Sequence, residues 1–273
     1  MHQNPYQIKI LKTIQKLGYR HSTWTLFSDF VELGALCIAN STSCGTPDWG
    51  KREKQYLDII GKYQPDEQKL FPEMFADLVQ ALEYEITWSN NPVDILGQIY
   101  HELELHNKWK GQFFTPQNVC DMMGKIALGD SRELIEKYGY IGMSEPCVGS
   151  GAMVFGFARA MFEAELNYCK QLFVLATDID IKCVHMAYLQ LSLYGIPAVV
   201  THGNTLTLEE WSRWYTPIYI IHGWRRKVAT TRALEVLSEI MPLEKPELEP
   251  PKTEAPKPAQ GFGQLSLFDE GGS

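Results

Sequence analysis

The spacing of apolar positions divides the chain. Up to about residue 110 they recur every three or four places. Phe27, Phe30, Val31, Leu33, Leu36 and Cys37 form one run, and Phe71, Met74, Phe75, Leu78, Val79 and Leu82 form a second. That period places each set on one face of an amphipathic helix. A third helix is expected over Val93–Leu105, with Ile95, Leu96, Ile99 and Tyr100 on its apolar face. NSTSCGTPDWGKREK, after the first run, reads as a loop from its Ser, Gly and Pro content. Residues 1–110 are therefore expected to be a helical N-terminal region, and no internal repeat is visible.

From 111 to 228 the pattern alternates. Short apolar runs at Tyr140–Met143, Leu172–Thr177, Ala198–Thr201 and Ile218–Ile221 read as strands. Helices are expected near Asn118–Leu128, Met153–Tyr168 and Ile181–Leu193. Strand and helix in turn predict an α/β fold, with a parallel sheet covered on both faces. Residues 229–242 read as one more helix. Beyond it, MPLEKPELEPPKTEAPKPAQGFG is rich in Pro, Glu and Lys and has almost nothing to bury, so 243–273 is expected to be a disordered tail.

Charge and cysteine usage narrow the classes. No apolar run approaches the ~18 residues of a membrane span, and the first residues lack the layout of a signal peptide. The six cysteines contain no C-x-x-C pair. They read as free thiols of a cytoplasmic protein, with no metal site. Net charge is −8. Half of that excess lies beyond Ala229, where eight acids face four bases, so the body is only mildly acidic. Arg225, Arg226 and Lys227 form the densest basic cluster, which reads first as a solvated helix start.

EPCVGSGAM, residues 145–153, carries the candidate chemistry. A strand that turns through Gly-x-Gly into a helix sits at the carboxyl edge of a parallel sheet, where such folds bind ligands. Glycine permits the tight turn, and the helix start offers free N–H groups. A phosphate loop would need a Lys that is missing. A dinucleotide loop would need a third glycine where Val154 stands. Gly-x-Gly alone is equally compatible with a turn that binds nothing.

Four ordered motifs raise it above that. DILGQIYHELELHNKWKGQFFTP, EPCVGSGAM, ATDID and HGNTL resemble successive motifs of the adenine-N6 DNA methyltransferases that serve as modification subunits of type I restriction systems. The resemblance covers roughly Asp94 to Leu206. It implies a truncated Rossmann-like class I domain that binds S-adenosyl-L-methionine and acts on DNA. It also implies the cofactor residues. Gly149 and Gly151 would let the backbone approach the methionine part. Glu145, followed by Pro146, stands where an acid near the cofactor's ammonium is common. Asp178 would accept the ribose hydroxyls, with Asp180 left as a helix cap. Asn204 replaces an Asp that bonds the adenine amino group, and its amide oxygen can still accept. Thr115 and Pro116 would close over the methionine moiety.

The resemblance breaks at catalysis. The family's [DNS]-P-P-[YFW] motif, on its fourth strand, is absent from the sequence. Two replacements are open. Ile218–Ile221 as fourth strand puts His222 and Trp224 in the catalytic place. The other register uses Thr216, Pro217 and Tyr219. Packing in a core or interface explains the tryptophans equally well. After Arg226 the chain has room for only one helix and the tail, so DNA recognition is expected to be slight or borrowed from a separate specificity subunit. Gln264, Leu265, Ser266, Leu267 and Phe268, after the Pro-rich linker, resemble the peptide by which bacterial proteins bind the polymerase sliding clamp. Two classes follow: a small methyltransferase of a phage or mobile element drawn to replicating DNA, or a degenerate one serving as adaptor or anti-restriction factor.

Overall fold

The computed structural model describes residues 4–89, 91–104, 115–129 and 131–240. Six helices come first: α1 (Pro5–Leu17), α2 (Thr23–Ser41), α3 (Pro47–Ile60), α4 (Pro65–Gln68), α5 (Leu70–Ser89) and α6 (Ile95–Glu104). The remainder runs α7 (Gln117–Leu128), α8 (Arg132–Tyr138), β1 (Ile141–Glu145), α9 (Ala152–Glu163), α10 (Tyr168–Gln171), β2 (Leu172–Asp178), α11 (Ile181–Leu193), β3 (Ala198–Asn204), β4 (Glu209–Tyr215), α12 (Pro217–Ile221) and α13 (Trp224–Ile240). Among the described residues no helix is long and apolar enough to cross a membrane.

Local chemistry accounts for the helix starts. Asn4 caps α1, its Oδ1 accepting the amides of Tyr6 and Gln7 while its Nδ2 donates to Ala81 O and Glu85 of α5. One side chain thus closes a helix end and ties the first helix to the fifth. Within the expected loop NSTSCGTPDWGKREK, only residues 42–46 connect helices. Thr46 and Pro47 occupy the cap and first position of α3, and proline's fixed φ suits a helix's first turn. The expected helix Met153–Tyr168 is shorter because the backbone turns left-handed at Glu165 (φ 61°).

The four strands are ordered β1-β2-β3-β4. β1, β2 and β3 are parallel, and β4 returns antiparallel on β3, with Val199 opposite Tyr215 and Asn204 opposite Glu209. This corrects the expected fourth strand: residues 218–221 lie in helix α12, and the strand lies upstream in a largely exposed polar segment. One continuous core joins the two expected regions, running from Ile10 and Ile14 of α1 through Leu36, Leu78 and Ile99 to Val154, Val174, Leu189 and Val200. Met1–Arg232 form one compact unit. Residues 233–273 separate as a second, of which only the end of α13 is described.

Candidate cofactor site

β1 delivers the chain to the glycine turn, and two residues there have backbones that only glycine adopts easily. Gly149 has φ 55° and Gly151 φ 105°. A β-carbon on Gly151 would also sit 3.0 Å from the ring of Phe155. The turn is pinned to the next strand. Val148 N donates to Thr177 O (2.9 Å) and Gly149 N to Asp178 Oδ2 (2.8 Å). Asp178 Oδ1 accepts the amide of Asp180 at 2.9 Å. Each carboxylate oxygen therefore holds one amide and keeps a lone pair. Asp180 caps α11 by accepting Lys182 N.

The end of β3 meets the same edge. Thr205 Oγ1 donates to Pro146 O at 2.7 Å, closing β3 onto the glycine turn. Asn204 Oδ1 accepts the amides of Leu206 (3.0 Å) and Thr207 (3.3 Å). The oxygen expected to face an adenine amino group is thus turned to its own loop, and Nδ2 is the group left to donate. Glu145 is half-buried, with Oε1 accepting Cys147 N at 3.2 Å. Beside Asp178, Ile179 is 61% exposed. An apolar side chain held open next to a carboxylate is suited to one face of an adenine. The D-I-D tripeptide carried that signal in the sequence.

Behind the turn lies a polar cluster that sequence reasoning missed. Asp94 is buried and accepts three bonds: from Gly97 N (2.8 Å), from Gln190 Nε2 (2.9 Å) and from Ser150 Oγ. Gln190 also donates to Ser150 O and accepts Leu96 N, both at 3.0 Å. Tyr194 OH bridges the backbone of Val93. The segment before α6, the middle of the glycine turn and α11 are thereby locked together with every group satisfied. Burial holds the Asp94 carboxyl above the ordinary carboxylate range, against hydrogen bonds from Ser150, Gln190 and Gly97.

Thr115 and Pro116 reach this neighbourhood through helix packing. α7 and α9 cross at Gly124 and Gly156, where any β-carbon would meet the opposing backbone. Arg159 of α9 pairs with Asp121 of α7 at 2.7 Å. Pro116 starts α7. With Thr115, Asp94, Gly97, His101 and Ala152 it lines a 450 Å³ cavity beside the glycine turn. Gly111–Phe114 of the GQFFTP motif lie outside the described residues.

The catalytic expectations do not reach this edge. Thr216 is fully buried at the opposite end of β3. There its hydroxyl accepts Ala198 N and donates to Ile196 O, both at 2.9 Å. Pro217 begins α12, and Tyr219 stacks on Phe173 at 5.9 Å. Trp224 is 2% exposed, edge-on to Tyr140 (5.3 Å) and stacked on Phe173 (5.8 Å). His222 is an exposed residue ending α12. Because β4 runs antiparallel, whatever follows it lies at the amino-terminal ends of the parallel strands, away from Gly149 and Asp178. Gln264–Phe268 lie outside the described residues.

A strand–glycine turn–helix locked to a carboxylate at the tip of the next parallel strand defines an α/β methyltransferase fold. The profile of the N-6 DNA methylase family matches residues 91–223, just under half of the chain. Its cofactor is S-adenosyl-L-methionine, and the glycine cradle, the free lone pairs of Asp178 and the open face of Ile179 fit that molecule. Two solved structures are similar. One, from Listeria monocytogenes, is described as a class I S-adenosylmethionine-dependent methyltransferase: 12% identity, TM-score 0.41, covering 82% of this chain and 70% of that one. The other is the methyltransferase subunit of a type I restriction-modification system from Streptococcus thermophilus: 14% identity, TM-score 0.37, 76% of this chain and 59% of that one. Among curated proteins none matches the chain.

Proposed function

We propose that the protein is an S-adenosyl-L-methionine-dependent methyltransferase acting on adenine N6 in DNA. The observation that carries this is the turn Gly149–Gly151 fastened to Asp178 and braced from behind by Asp94 and Gln190. The geometry supports the following roles. Gly149 and Gly151 admit the methionine part to the backbone, and Asp178 accepts ribose hydroxyls. Ile179 would flank the adenine, and Asn204 Nδ2 would donate to its ring. Thr115 and Pro116 would close over the amino acid end, and Glu145 would meet its ammonium. When bound, the cofactor would supply a methyl group on a cationic sulfur.

Two further parts belong to this reading. A separate specificity subunit supplies sequence recognition. The peptide Gln264–Phe268 docks on the sliding clamp, keeping the body near duplex DNA by raising its local concentration. A second reading, a methyltransferase fold kept as an adaptor or anti-restriction factor, is favoured by one observation: both aromatic candidates for base stacking, Tyr219 and Trp224, pack at the wrong end of the sheet.

The test joins calorimetry with mass spectrometry of adenine methylation in DNA from expressing cells. Wild type should bind the cofactor, and Asp178→Ala should weaken binding about tenfold or more, the equivalent of about 1.5–3 kcal/mol for lost bonds to a charged acceptor. N6-methyladenine should accumulate with wild type and not with Asp178→Ala. Binding without methylation, alone or with host partners, selects the adaptor reading. No binding at millimolar cofactor refutes the cofactor reading of the glycine turn and, with it, the methyltransferase.

A further inference from the structure

The sheet has one face under helices α9 and α11 and another that is only partly roofed. On the second face the strands align in two rows: Leu175 opposite Val199 opposite Tyr215, and Thr177 opposite Thr201 opposite Arg213. α12 and the start of α13 cover one end of this surface, where Tyr140, Phe173, Val199 and Trp224 form a small core of their own. The rest is a 720 Å³ groove whose walls include Phe173, Tyr219, Arg225 and Arg232. Leu175 is 40% exposed on its floor, and Tyr215 is 38% exposed at its side.

Two features single the groove out. The first is a stack of rings: Trp224 on Phe173 (5.8 Å, 15°), Phe173 beside Tyr219 (5.9 Å, 27°) and Tyr219 beside Tyr215 (5.4 Å, 25°). The stack ends on a partly open tyrosine. The second is charge. Arg213 is paired with Glu210, but Arg225 and Arg232 have no carboxylate partner among the described residues. On a chain of net charge −8, this groove holds three arginines and one glutamate. A partly exposed tyrosine over an apolar floor, rimmed by guanidinium groups without carboxylate partners, matches an unpaired base and its phosphates. The groove also leads somewhere. Glu210 pairs with Gly203 and Glu209 with Asn204, so its upper end opens at the cofactor edge.

We infer that this sheet face binds a short stretch of single-stranded DNA, one base stacked on Tyr215 and the adjoining phosphates on Arg225 and Arg232. Three strands at ~4.8 Å spacing give room for about two nucleotides. This deepens the proposed function and rests on it for the identity of the nucleic acid. A target adenine must leave the duplex to be methylated, and unpaired neighbours descend naturally from the cofactor edge onto this face.

The experiment uses the full chain and a fluorescently labelled oligo(dT) 12-mer, which carries no adenine and so cannot be a methyl acceptor. Anisotropy should show binding that Tyr215→Ala weakens about tenfold. Arg225→Ala/Arg232→Ala should weaken it at least as much and lower the slope of log affinity against log salt by about 1.4. S-adenosyl-L-methionine affinity, measured by calorimetry, should stay within twofold of wild type in all variants. If oligonucleotide binding maps to these residues but the cofactor does not bind, the methyltransferase reading fails and the DNA face stands. Cofactor binding with unchanged oligonucleotide affinity in the variants overturns the DNA face alone. Tenfold tighter binding of oligo(rU), or a dimer that dissociates in the arginine variant without change in oligonucleotide affinity, also overturns it, assigning the face to RNA or to a second copy.

Discussion

Asp94 lies behind the glycine turn, and replacing it measures how firmly that turn is held. In Asp94→Ala, Gly97 N–H and the Ser150 hydroxyl lose their acceptor, and Gln190 Nε2 loses one of two. Gln190 retains the Ser150 carbonyl, so two buried donors are stranded. At about 1–3 kcal/mol each the gross loss is about 2–6 kcal/mol. Removing a carboxylate whose burial is itself unfavourable offsets part of this, leaving an expected net loss of about 2–4 kcal/mol. Asp94→Asn keeps an oxygen for Gly97 and Gln190 and turns an amide toward Ser150, whose hydroxyl can rotate to accept. It should cost about 1 kcal/mol. The same pair gives a pH signature. Burial raises the folded pKa of Asp94, so its contribution to stability is fully present below the unfolded value of about 3.9. That contribution is lost as pH rises through the folded value. Asn does not titrate, and the other groups are common to both proteins. Urea unfolding at pH 7, 5.5 and 4.5 should therefore show wild type gaining relative to Asp94→Asn as pH falls. An Asp94→Ala protein within about 0.5 kcal/mol of wild type, or a wild-type advantage that shrinks on acidification, would refute this account.

Two other expectations separate the sheet ends and test the tail. Trp224→Ala removes a ring packed between Tyr140 and Phe173 and should cost about 3–5 kcal/mol of unfolding free energy. Cofactor affinity of the folded protein should be unchanged, whereas Trp211→Ala, at an exposed ring, should cost under about 1 kcal/mol; the opposite ranking by denaturation would remove Trp224 from the core. Purified sliding clamp should retain wild type with micromolar affinity, about −8 kcal/mol, and lose Leu267→Ala/Phe268→Ala and a chain ending at Gly263. Equal retention of all three would show the peptide plays no part.

Local chemistry was legible wherever one strand, one turn and one helix suffice. Gly149, Gly151, Asp178 and Asp180 could be read because strand period, left-handed glycines and a capping carboxylate are short-range features, and the parallel sheet then brings their ends to one edge. Residues 218–221 were not resolved by pattern: four apolar residues are too few to tell a strand from a single helical turn. The preceding Thr216-Pro217 did hold the helix-start signal. β4 was hidden for the converse reason. Only Trp214 of its seven residues is buried, so no alternation marks it. Its antiparallel direction, which carries Thr216, Tyr219 and Trp224 away from the cofactor edge, is a property of the β3–β4 pairing alone. The Asp94–Gln190 bond spans 96 residues, and the Phe173–Tyr215 stack and the arginines beside it come from two strands and two helices. Contacts of that separation leave no period in the sequence, because what selects them is the burial of polar groups and rings when distant elements meet.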